Sequence, residues 1–189
     1  MRRTGNRARA ALALGAVLAL ATGPALAERA DRDKPVTIES ASMTADETKK
    51  VATFDGKVVL AQGSLIIRAE RIVIRQDSDG FQHGVATGSP ATFRHKREGF
   101  VEYICGEALK IEYDNKLERV EFFNKARLRR DSGDDIRGDY ISYDARNERF
   151  TVKSESSGTN REGHVSATIM PRKPAAPEAP VPAKAGPPC

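Results

Sequence analysis

The chain has 189 residues, of which 39% are apolar, 30% charged and only 6% aromatic, a balance that fits one soluble globular domain with extensions and leaves no room for several large domains. The formal charge of +5 is misleading, because Arg2, Arg3, Arg7 and Arg9 lie in the first 27 residues, which hold no acidic residue. Without them, 27 of the 31 basic residues face 26 acidic ones, a net of +1 with both signs interspersed. That pattern lacks the one-sided basic face of a nucleic-acid partner.

Residues 1–27 read as a cleavable secretory signal: a basic start, an apolar stretch from Ala10 to Ala21, and the small-residue site Ala25-Leu26-Ala27. The apolar stretch is too short for a membrane span and runs into Gly23 and Pro24. The mature chain is expected to start at Glu28, with a folded domain over 28–170.

From Lys34 to Met170 apolar residues recur at every second position in short runs, the period of a β-strand. Phe54, Val58 and Leu60 alternate with Asp55, Lys57 and Val59. Ile72 and Ile74 flank Val73, Ile111 and Tyr113 flank Glu112, and Phe122, Ala126 and Leu128 continue the theme. Gln62-Gly63-Ser64, Asp77-Ser78-Asp79-Gly80, Asp114-Asn115-Lys116 and Asp131-Ser132-Gly133-Asp134 supply turn residues, so about a dozen strands are expected and no long helix.

The sequence also repeats. A shift of 68 residues aligns Asp46 with Asp114, Phe54 with Phe122, Val58 with Ala126 and Leu60 with Leu128; one residue more aligns Arg68, Ile72 and Ile74 with Arg137, Ile141 and Tyr143. A strand pair buries only one face, so successive pairs must share an apolar interior and leave an open edge at each end. Such edges favour end-to-end association.

Reactive chemistry is sparse. His83, His95 and His164 have no metal-ligand spacing, and Asp77-Ser78-Asp79-Gly80 lacks the later ligands of a calcium loop and reads as a hairpin turn. Arg137-Gly138-Asp139 falls within a repeat strand. Glu107, Glu112, Asp139 and Asp144 are carboxylate candidates only in the loosest sense, because alternation with apolar residues places most of them outward, in water. No catalytic residue, metal or cofactor is called for. Cys105 and Cys189 form no framework; a structural bridge to the last residue of a flexible tail is not expected, and the thiols are expected to be free or adventitiously paired. The segment 171–189, with seven prolines, is expected to stay disordered.

The stretches VATFDGKVVLAQGSLIIRAERIVI, GSPATF and IRGDYISYD, with DKPVTIES before them, resemble the LptA family of lipopolysaccharide-transport proteins with an OstA-like domain, over roughly Lys34 to Val152. The resemblance implies an all-β, V-shaped antiparallel β-jellyroll, open at both ends, whose interior receives the acyl chains of lipid A. It also implies a periplasmic location and head-to-tail self-association in a bridge from inner to outer membrane. The partners it implies are an inner-membrane LptC-type component and an outer-membrane LptD-type translocon. By motif alignment Val36, Ile38, Phe93 and Tyr113 fall at lipid-facing positions. Phe54, Ile72, Ile74, Ile111, Phe122, Ile141 and Tyr143 join them from alternation and repeat position. An exported structural or adhesive β-repeat module without cargo, and a carbohydrate-active enzyme, are the alternatives that the residues leave open.

Overall fold

The computed structural model describes residues 31, 34–78, 80–97, 100, 102–154 and 163–171. The expected signal segment 1–27 lies outside these, as does the proline-rich tail apart from Pro171. Among the described residues ten strands occur in order: β1 (Thr37–Glu39), β2 (Ser42–Asp46), β3 (Val51–Gln62), β4 (Leu65–Asp77), β5 (Gly80–Lys96), β6 (Tyr103–Asp114), β7 (Arg119–Arg130), β8 (Asp135–Asp144), β9 (Arg149–Lys153) and β10 (Ser166–Thr168). All belong to one sheet in which β3 to β8 pair antiparallel with their sequence neighbours. At one end β1 and β2 pair with the two halves of β3; at the other, β9 and β10 pair with the two halves of β8.

The count falls below a dozen because β3 to β8 are long, and each runs through an irregularity near its middle without ending there. The register shifts between Asp55 and Val58, Arg68 and Arg71, Thr87 and Ala91, Glu107 and Lys110, and Phe123 and Ala126. These bulges lie side by side across the sheet, and bulges bend strands and sharpen their twist. The row therefore acts as a crease that folds the sheet's two halves toward one another.

Contacts across the crease confirm the folding. Phe93 pairs in register with Gly106, and Phe122 with Ile111, so the two phenylalanines sit in different halves. Yet their rings meet edge to face, with centroids 5.7 Å apart. Gly106 makes this possible: a Cβ there would lie 2.2 Å from Phe122 Cε1. Both halves feed one apolar cluster that includes Val58, Leu60, Ile67, Ile104 and Leu128 from one side and Ile72, Ile74, Ile111 and Ile141 from the other.

The repeat extends to the backbone. Gly56 and Lys57 have φ of 86° and 51°; Asn124 and Lys125, 68 residues on, have 64° and 54°. The turns repeat as well: Asp46, Asp114 and Asp144 each accept a backbone N–H three residues later, from Lys49, Leu117 and Asn147. Each of these turns ends on a left-handed residue, Lys50, Glu118 or Glu148. Cys105, on β6, is disulfide-bonded, which of the two expected states, free or paired, leaves the paired one; its partner lies outside the described residues. Oxidising compartments permit such a bridge, so a remote sequence position was no bar to it.

Candidate functional site

The candidate site is the interior between the two halves of the creased sheet. A strand's side chains alternate between faces, so one parity on each side of the crease supplies the lining. Phe54, Ile72, Ile74, Phe93, Ile111, Phe122, Ile141 and Tyr143 are all buried there. Val36, Ile38 and Tyr113 are partly buried and pack against the same cluster. The structure thus brings all eleven residues singled out from the sequence to one interior. Val36 and Ile38 stand at its rim, at the sheet's end strand β1.

Aromatic side chains line much of this space. Tyr113 stacks on Phe81 with centroids 5.9 Å apart, and Tyr143 stacks on Phe150 at 4.5 Å. Leu65, Ile67 and Ile104 are also buried in it, and sequence reasoning passed them over as site residues. For Leu65 and Ile67 the signal was blurred by the unbroken run Leu65-Ile66-Ile67, in which period two is invisible without the partner strand. Phe150 and Val152 carry a clear alternation, but on a strand of only five residues.

Polar groups ring the interior. Gln62 is buried, and its Nε2 donates to the Lys34 carbonyl at 3.1 Å. Burial alone would raise the Asp31 carboxyl, but hydrogen bonds from Lys34 and the Ser64 backbone outweigh it and hold it at about 2. Burial lowers the His95 imidazole against the pull of Asp31 and Glu118, and burial pushes the Tyr143 phenol up to about 12. Arg97 joins the halves: Nε and Nη2 donate to Glu148 at 3.0 and 2.5 Å, and Nη1 to Glu102 at 3.2 Å.

The carboxylates placed outward by alternation serve the scaffold. Glu112 pairs with Lys110 at 2.9 Å, Glu107 accepts from Arg127 at 3.4 Å, Asp139 accepts from Ser154 at 2.8 Å, and Asp144 holds its turn. Asp77 pairs with Gly80 in the β4–β5 hairpin, as expected of a turn. Among the described residues no group of three or more His, Cys, Asp or Glu side chains is placed to hold a metal ion. What the arrangement offers chemically is a continuous apolar interior between the two halves, with polar groups at its rim.

The family described as LptA/(LptD N-terminal domain) LPS transport protein matches residues 37–149, the whole span from β1 to the start of β9. The chain belongs to this family. Among its LptA-family relatives, the lipopolysaccharide export system protein LptA of Haemophilus influenzae is 32% identical over 160 residues, 82% of this chain and 88% of that protein. LptH of Pseudomonas aeruginosa, also named a lipopolysaccharide export system protein, is 26% identical over 86% of this chain and 94% of its own. LptA of Escherichia coli K12 is 29% identical over 76% and 78%. The fold matches the crystal structure of Pseudomonas aeruginosa LptH, described as the periplasmic component of a lipopolysaccharide transport device. The TM-score is 0.68 at 24% identity, over 75% of this chain and 99% of that one.

Proposed function

We propose that this protein is a periplasmic lipopolysaccharide carrier that shields lipid A acyl chains between the halves of its creased sheet. The observation that carries the reading is the single apolar interior running from β1 to β9, lined by all eleven residues named above, in a member of the LPS transport family. Each buried methylene of an acyl chain contributes about 0.8 kcal/mol, so an apolar slot can hold several chains through an aqueous compartment. Transfer to a next carrier needs no bond-making, and the protein acts without catalysis. The basic, apolar and small-residue order of residues 1–27 supports export by a cleavable signal.

The ends of the sheet support the partners of this reading. Strands β1 and β10 are three residues each, and β10 is exposed throughout. Unpaired edges of this kind accept another strand, which suits head-to-tail self-association and docking to LptC-type and LptD-type components at the two ends. The interior is filled by the protein's own side chains, a feature that a structural module without cargo shares. Mass spectrometry of lipid extracted from protein purified out of lipopolysaccharide-producing cells separates the two: stoichiometric lipid A supports the carrier, and lipid-free protein supports the dry module.

A further inference from the structure

Two arginines continue the inward parity of their strands to the seam where the halves meet: Phe93, His95 and Arg97 at the end of β5, and Ala126, Leu128 and Arg130 at the end of β7. Opposite them, Glu148 and Phe150 belong to the β8–β9 hairpin of the other half. Arg97 grips Glu148 at two points, Nε to Oε1 at 3.0 Å and Nη2 to Oε2 at 2.5 Å. It is anchored from behind by Glu102 and by the Phe100 ring, whose centre is 3.8 Å from its guanidinium carbon. Arg130 lies over Phe150, 4.7 Å from the ring centre, and Nη1 reaches Asp134 at 3.5 Å. Its Nε is buried and has no acceptor among the described residues.

A guanidinium fork that grips a carboxylate at two points fits a phosphate equally well, and a buried N–H without an acceptor carries a desolvation cost that an incoming anion relieves. The two partners of the ion pair are held unequally. The Arg97 side chain is 13% exposed, whereas Glu148 is 41% exposed and sits on a tight turn with a left-handed φ of 50°. Glu148 is the side that can swing into water. Directly inside the seam, Tyr143 stacks on Phe150 and opens onto the apolar cluster.

We propose that Arg97 and Arg130 form an anion subsite at the seam that takes a phosphate monoester of an amphiphile whose chains occupy the slot, with Glu148 filling the subsite while the slot is closed. This rests on the carrier reading above. The same chemistry would attract free phosphate, but the apolar wall behind the arginines favours a phosphate attached to acyl chains.

The test compares binding of bisphosphorylated lipid A, the same acylated disaccharide with its phosphates removed, and inorganic phosphate to the full chain and to R97Q, R97K, R130Q and E148Q. The wild type is expected to prefer the phosphorylated lipid by about tenfold. R97Q and R130Q should bring that ratio within about twofold, the ratio within each variant cancelling any general change in lipid affinity. R97K, which keeps the charge but not the fork, should fall between, and E148Q should strengthen binding of the phosphorylated lipid. An unchanged ratio in the arginine variants overturns the subsite while leaving the slot intact, as does inorganic phosphate competing as well as the lipid. Failure of both lipids to bind the wild type overturns the carrier reading and the subsite with it.

Discussion

Gly106 and Phe122 share one volume: the ring reaches from its own half of the sheet into the space that a side chain at 106 would fill. Gly106→Ala should therefore cost about 1–3 kcal/mol, since an overpacked core must push a side chain off its rotamer. Truncating the ring instead, Phe122→Ala, leaves a cavity and should cost about 3–5 kcal/mol. Urea denaturation measures both, and pairing Gly106→Ala with Phe122→Leu should recover part of the first loss, because the smaller side chain frees the contested space. Tyr143 offers a pH test at the same scale. Burial raises its phenol from 10 in the unfolded chain to about 12, so the folded state holds the proton over that interval and the unfolded state does not. Its contribution is complete below pH 10 and is lost as pH rises toward 12. Tyr143→Phe should remove that part of the alkaline loss of stability, and identical alkaline unfolding curves for the variant and the wild type would contradict it.

At the scale of elements, the crease depends on residues whose backbone adopts left-handed geometry inside a strand. Lys125, with φ of 54°, meets the steric penalty of that region without glycine's relief. Lys125→Gly should raise stability by up to about 1 kcal/mol and Lys125→Val should lower it by about 1–2 kcal/mol, read as shifts of the denaturation midpoint. Equal midpoints would mean that the bulge is not strained. The crease also marks where the sequence stopped being legible. Period two revealed which residues face inward along each strand, because burial of one face forces that alternation. Phe122 and Ala126 keep the same parity on either side of the bulge, so alternation carried straight through Asn124 and Lys125 and hid the bend. The shift of 68 residues was the available clue, since it superposes Gly56-Lys57 on Asn124-Lys125. Arg97 and Arg130 were illegible for another reason: charged residues near strand ends look like ordinary surface, and only the folding of one half onto the other brings Glu148 to Arg97.

For the whole molecule, a creased sheet has two consequences, an interior packed between its halves and two ends whose edge strands, among the described residues, pair on one side only. Around β10 the exposed apolar side chains Val165, Ile169 and Met170 gather at one end, and exposed apolar groups beside a strand that pairs on one side only mark a surface for another protein. Ile169, 77% exposed, contributes little to the fold, so Ile169→Glu should leave the circular dichroism spectrum unchanged and shift sedimentation toward the monomer. Association undiminished by that change would place the contact elsewhere. Whether acyl chains enter the interior is tested most directly by site-specific photo-crosslinking. A photoreactive residue is placed in living cells at Phe93 or Tyr113, which face the apolar interior, and at Glu112, which pairs outward with Lys110. Lipopolysaccharide adducts at Phe93 and Tyr113 but not at Glu112 are the predicted result; folded, exported protein that forms no adduct at either inward site would contradict it.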